Sequence, residues 1–321
     1  MFGNRLKQVK LFAMLSCTAV IGIAVVTASA QAKKPAMIAF RTISVITEPE
    51  ATVWLDGVKY GKTAENGRLT IATVAPGKRL IRVRADGFKE VVKPLLATRK
   101  GNIEMPLTKT TDEAELAYQQ AEALATTDRA KSAEAYNRAI GLRPRFVEGY
   151  IGLARLYSEA RDREKAEIAI KAARKLRPRL AEASAIEGRV LKDGGEDEKA
   201  IASFKRAIAE GGGFQPEANT GLGLIYKERA ESAGAVGDYE QESVNYTEAA
   251  KYFAVALRQL SGAPDAVVLY QFLGLVYEQQ KKYKEAIAVY EEFLLLFPDN
   301  PESAAFESFI VQLKKQQNEM K

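Results

Sequence analysis

No histidine occurs anywhere in this sequence, and its single cysteine, Cys17, sits inside an apolar N-terminal run. Without an imidazole the chain lacks the usual neutral-pH general base and the commonest transition-metal ligand, and no Ser/His/Asp or Cys/His arrangement can be assembled. A lone thiol removes internal disulfides and cysteine-ligated clusters as well. Paired carboxylates are the one hydrolytic device that needs neither residue type. The acids Glu167, Glu196 and Glu291 fall where helix exteriors are expected, which explains them without chemistry. No phosphate-cradling glycine loop and no dinucleotide fingerprint is present. The residue types therefore argue against an enzyme and against a cofactor or metal, and turn attention to surfaces that bind.

The N-terminus has the form of an export leader. Arg5, Lys7 and Lys10 precede the uncharged apolar stretch Leu11 to Val26, and Ala28-Ser29-Ala30 supplies a small-residue cleavage pattern. Residues 1–30 are read as a signal peptide cut after Ala30, with Ala32 as second choice, and 31–41 as a linker. The alternative is an uncleaved signal anchor, because Leu11 to Ala30 is a charge-free run of 20 residues. Leu15-Ser16-Cys17 fits a lipoprotein site poorly, since only a short apolar run precedes the cysteine. Either leader outcome makes the protein extracytoplasmic, in a periplasm or cell envelope, with membrane attachment only through a retained leader.

Charge limits the partners. Without the three basic residues of 1–30, the net charge of +6 falls to +3, too mild to imply nucleic acid. It is unevenly spread: residues 38–110 hold 13 Lys and Arg against 7 Asp and Glu, whereas 111–321 carry about −5.

Chain length allows about two domains. From Thr42 to Leu107, short β-branched runs alternate with turns: Ile43–Ile46, Thr52–Leu55, Leu69–Val74, Leu80–Val83 and Asn102–Leu107, with Asp56-Gly57, Pro76-Gly77 and Asp86-Gly87 between them. Glycine supplies the positive φ of tight hairpins, so 42–108 is expected to be a small antiparallel β-sandwich. Glu48-Pro49-Glu50-Ala51, Val53-x-Leu55-Asp56-Gly57, Gly61, Val74-x-Pro76-Gly77 and Gly87-Phe88 resemble the PEGA domain, although the name-giving tetrapeptide lacks its glycine. That resemblance implies an extracytoplasmic β-module without catalytic residues. Arg82 and Arg84 alternate onto one strand face, expected to be solvated, and Trp54 is expected to pack rather than serve as a sugar platform.

The remainder repeats. Tyr136-x-x-Ala139-x-x-Leu142-x-Pro144 recurs 34 residues later as Ile170-x-x-Ala173-x-x-Leu176-x-Pro178. Tyr150, Leu153, Ala154 and Tyr157 precede the second of these, Gly188, Leu191, Ala200, Phe204 and Ala207 continue the phase, and Tyr270, Leu273, Gly274, Tyr277, Ala286, Tyr290 and Pro298 close it. This resembles the tetratricopeptide (TPR) repeat, with Gln120 replacing a small residue in the first repeat and Phe293 replacing alanine in the last. The expected fold is therefore multidomain, the β-sandwich followed by an all-α TPR superhelix of about five helix pairs over 112–298 and a C-terminal capping helix in 299–321, with Ala305, Phe309 and Leu313 as its stripe. In the fourth repeat Gly223 and Ala249 lie 26 residues apart, against 12 for Gly274 and Ala286, and Gly237-Asp238-Tyr239 divides the excess into seven and seven. Seven residues return nearly to the same helix face, so a hairpin lengthened by roughly 10 Å is expected. Its tip, Ala235, Val236 and Tyr239, is a candidate contact; a disordered polar loop is the alternative.

The TPR resemblance implies a concave face formed by the first helix of each pair, lined by Tyr118, Arg155, Arg189, Lys192, Lys227 and Phe272. Such a lining suits an acidic or extended peptide. The expected function is a non-enzymatic scaffold or adaptor that mediates protein–protein interactions in the bacterial cell envelope; the alternative is cell-wall or polysaccharide (glycan) binding through the β-domain.

Overall fold

The computed structural model describes residues 40–319, Ser261 excepted. The leader, its cleavage sites and Cys17 lie outside the described residues. Seven strands open the described chain: β1 Arg41–Ile46, β2 Thr52–Leu55, β3 Val58–Lys62, β4 Arg68–Val74, β5 Arg79–Arg84, β6 Val91–Leu95 and β7 Gly101–Glu104. They form two sheets, β4-β1-β7 and β3-β2-β5-β6. Inward positions alternate along the strands: Ile81 and Val83 of β5 meet Val53 of β2 and Ile43 and Val45 of β1 in one core, while Leu80, Arg82 and Arg84 point outward. Asp56 and Gly57 both take positive φ, as a two-residue hairpin turn requires, and so return the chain from β2 directly into β3.

Two details depart from the sequence reading. β1 and β7 pair in parallel, so the sandwich is not wholly antiparallel. β3 and β6 were not expected as strands. β3 carries Lys59, Gly61 and Lys62, and β6 carries Lys93-Pro94, a composition that only edge strands tolerate, and both lie at the edges of their sheet.

Eleven α-helices follow among the described residues. The pairs are α1 Glu113–Leu124 with α2 Arg129–Leu142, α3 Val147–Glu159 with α4 Arg163–Leu176, α5 Ala181–Asp193 with α6 Asp197–Glu210, α7 Pro216–Ala235 with α8 Tyr239–Leu260, and α9 Val267–Gln279 with α10 Tyr283–Leu296. The helix α11, Ser303–Glu319, ends the described chain. Most run 12 to 14 residues; α7 and α8 run 20 and 22, with Gly237 at positive φ in the turn between them. Ala139, Ala173 and Ala207 repeat at the 34-residue spacing and are fully buried, where small side chains let neighbouring helices approach.

Every first helix but α1 also presents a glycine to a large ring. A Cβ at Gly152 would fall 2.2 Å from the Tyr136 ring, at Gly188 2.6 Å from Phe204, at Gly223 2.5 Å from Phe253, and at Gly274 2.0 Å from Tyr290. These distances are far inside van der Waals contact, so the rings occupy the space a methyl group would need. Phe293 stands where alanine is usual because α11 covers it, stacking Phe306 on it with ring centroids 3.9 Å apart. The buried stripe of α11 is Phe306, Ile310 and Leu313 rather than Ala305, Phe309 and Leu313; Phe309 is largely exposed, one residue off the covered face.

We predict that Gly274→Ala lowers stability by about 1–3 kcal/mol through overpacking, seen as a lower urea midpoint. Gly141→Ala, in α2, would meet no atom within 4 Å and should be neutral or slightly stabilising. Equal midpoints for the two variants would refute the close-approach argument.

Candidate functional site

The first helices α3, α5 and α7 bring Arg155 and Arg189 together on one acid. Glu217, in the first turn of α7, meets Arg155 Nη2 at 3.2 Å and Arg189 Nη1 at 3.4 Å, and Arg189 Nε donates to Ser158 Oγ at 2.9 Å. Lys192 pairs with Glu228 at 2.8 Å and Lys227 with Glu231 at 2.5 Å. The cations expected to line this face are therefore held in a lattice of paired charges. The Glu217 carboxylate is the largest influence on Arg155 and holds its pKa above the ordinary arginine value. Lys227–Glu231 is an i,i+4 pair that was readable from the sequence. Glu217 and Glu228 were missed because their partners lie one or two repeats away.

The two aromatic candidates belong to packing. Phe272 stacks on Phe253 at 5.5 Å between centroids. Tyr118 lies against Phe146 at 5.1 Å and Tyr136 at 5.8 Å, and burial pushes its hydroxyl pKa up to about 12, with Glu122 adding to the effect. The tip residues Ala235, Val236 and Tyr239 are exposed, Val236 by 82% and Tyr239 by 73%.

Arg82 and Arg84 correct the reading of a solvated sheet face. Both guanidinium groups cover Trp54, at 4.2 and 5.2 Å from its ring, leaving the indole 9% exposed. Arg84 also lies over the Tyr118 ring at 5.0 Å and bonds Glu122 of α1 at 3.0 Å. Burial works to lower its pKa, but Tyr118, Glu122 and Glu90 together raise it, so the cation is firmly held. Glu122 accepts from Tyr136 through its other oxygen. Beside this cluster Gln119 takes the Gly87 N–H and donates to the Phe88 carbonyl, both at 2.8 Å.

A second joint lies far along the array. Tyr60 of β3 donates its hydroxyl to the Leu260 carbonyl at 3.0 Å, and Val58 packs in the cluster that contains Ala263 and Ala266. Gly262, at positive φ, sits so close to Thr73 that a Cβ there would lie 2.7 Å from it.

Family comparisons agree with this architecture. The PEGA domain family model matches residues 40–111, and tetratricopeptide repeat models match 151–214 and 267–300. The chain carries a PEGA domain and tetratricopeptide repeats. Among solved structures, the yeast Tom70 crystal structure is 18% identical with a TM-score of 0.51, over 65% of this chain and 41% of that one. This chain thus spans about two fifths of Tom70's length, and the likeness concerns the fold alone. The crystal structure of MamA protein is 21% identical over 62% of this chain and 97% of that one, with a TM-score of 0.41. YrrB, titled a TPR protein with an unusual peptide-binding site, is 16% identical over 64% of this chain and 94% of that one, with a TM-score of 0.38. A comparison with curated proteins gave no match.

The PEGA domain is thus fixed to the TPR array in the first helix pair and at the junction of the fourth and fifth. The first joint depends on Arg84, whose planar fork reaches Glu122 while its face covers two rings, a combination that lysine cannot supply. Arg84→Ala should accelerate hydrogen exchange in α1 and in the Asp86–Phe88 turn while leaving α5 and α6 unchanged, and Arg84→Lys should give an intermediate effect. Unchanged exchange in α1 would show that the joint does not hold the two parts together.

Proposed function

We propose that this protein is an exported, non-enzymatic scaffold of the bacterial cell envelope, in which the TPR array holds segments of other proteins and the PEGA domain braces the array. The observation that carries the reading is the convergence of Arg155 and Arg189 on Glu217 across three successive first helices. An acidic side chain or a C-terminal carboxylate from a bound segment can exchange with Glu217, since guanidinium groups accept carboxylates in pairs of hydrogen bonds. Glu217 then acts as a placeholder that keeps the two arginines positioned and disfavours uncharged guests, which would leave the cations unpaired. The glycan reading has less support, because Trp54 is covered by Arg82 and Arg84 and offers no open ring for a sugar to stack on.

Two measurements test this. In affinity capture from envelope extracts, the protein should retain specific partners that the Arg155→Glu/Arg189→Glu variant loses, while Glu217→Gln, which frees the cations, should hold acidic segments several-fold more tightly. Retention of wall polysaccharide alone, equal in all variants, would transfer the binding role to the PEGA domain. For export, N-terminal sequencing of the protein from the producing cells should begin at Gln31 or, second, Lys33. A chain recovered intact in the cytoplasm would overturn the envelope assignment.

A further inference from the structure

Two exposed apolar patches of opposite charge lie on distant parts of this chain. The first is the α7–α8 tip, where Val236 and Tyr239 project beside Asp238, Glu240 and Glu242, with no basic residue between Ala230 and Ala250; Glu231 and Glu248, at the base of the segment, are paired with Lys227 and Lys251. The second is the outer face of the β5–β6 strand pair. Leu80 and Val92 are exposed by 49% and 47%, Leu96 just beyond β6 by 60%, and Leu80 stands opposite Pro94 in the pairing register. The exposed Lys78 and Lys89 make this surface basic, while Arg82, directly opposite Val92, is shared with Glu90. Glu90 is the nearby acid, and it is already engaged by Arg82 and Arg84.

These surfaces cannot meet within one molecule as folded. Tyr239 begins α8 and Leu260 ends it, so at 1.5 Å per residue the tip stands about 32 Å along the helix from the point where the PEGA domain is attached. The attached strand is β3, and β6 is the opposite edge of the same sheet, about 14 Å further off at the usual strand spacing. Like patches repel one another, acidic tip from acidic tip and basic sheet from basic sheet, whereas tip and sheet attract and each brings apolar side chains to cover the other's.

We infer that the α7–α8 tip of one copy docks on the β5–β6 face of the PEGA domain of a second copy. The contact is heterologous, so a docked pair keeps one free tip, on one copy, and one free sheet face, on the other, and the product is a head-to-tail chain or a closed ring. A handful of side chains on each side makes a small interface, which places the self-association in the weak, concentration-dependent range. It uses neither Arg155 nor Arg189 and is independent of segment binding by the array.

Sedimentation velocity of the purified protein without residues 1–30, from about 1 to about 100 μM at low salt, should show a mean mass rising above that of the monomer, and raising the salt to about 0.5 M should reduce it. The tip variant Val236→Glu/Tyr239→Lys and the sheet variant Leu80→Glu/Val92→Glu, all at exposed positions, should each associate at least tenfold more weakly. Mixed in equal amounts, they should form dimers and nothing larger, because only one productive contact remains. The circular dichroism of both variants should match that of the parent. A parent protein that stays monomeric throughout the range would overturn the proposal, as would a mixture that assembles beyond dimers. A monomeric parent that co-sediments with phosphatidylglycerol vesicles through Leu80 and Val92 would assign the sheet face to a lipid surface instead.

Discussion

The helices of this array close on contacts that leave no space for a methyl group. Phe204, Phe253 and Tyr290 press on Gly188, Gly223 and Gly274 within their own pairs, and the helix separation follows from a ring set against bare backbone. Successive pairs are set against each other in the same way, since Tyr136 fills the space at Gly152 and Phe204 the space at Gly221 of the next pair. Arg155, Arg189 and Glu217 come from three different helices, and only this fixed stacking brings them within ion-pair distance. The hydroxyl of Tyr136 reaches Glu122, the acid that holds Arg84, so the same ring that sets the first pair against the second also anchors the β-domain.

The PEGA domain is attached through chemistry of two kinds. At α1 the joint is cationic and aromatic, with Arg84 shared among Trp54, Tyr118 and Glu122. At the junction of the fourth and fifth pairs it is a close fit of small residues, with Tyr60 bonded to the Leu260 carbonyl and Gly262 against Thr73. The first combines charge pairing with ring contacts, and the second depends on backbone shape. Between them the intervening pairs are held at a set curvature, because an array that straightened would separate Tyr60 from Leu260.

Much of this was legible in the sequence, for physical reasons. The helical array repeats its small residues every 34 positions, and a periodic packing constraint leaves a periodic trace; Ala139, Ala173 and Ala207 are that trace. Strands β3 and β6 left none, because edge strands need only one apolar side and tolerate Lys, Gly and Pro. The arginine pattern on β5 showed which face Arg82 and Arg84 share but not that α1 would cover it, since nothing local in a strand encodes its distant neighbour. Glu217 was missed for the same reason, as its two partners lie 62 and 28 residues away and its position in a first helical turn is ordinary for an acid. Phe309, expected in the stripe of α11, is exposed because a one-residue shift rotates a helix position by about 100°.

The bond between Tyr60 and Leu260 spans 200 residues of chain. Solenoids are ordinarily one-dimensional, each repeat answering only to its neighbours, and they can order from any point outward. Here the first-made domain has its second docking site in almost the last part of the array to be made. The two halves of that joint cannot meet until the chain as far as Leu260 is available to fold. Until then Val58 and the underside of β3 have nothing to cover them, and the array can grow pair by pair without its final curvature. Closure at Tyr60 and Leu260 ties repeats that would otherwise answer only to their neighbours to one β-domain at two distant points of the array.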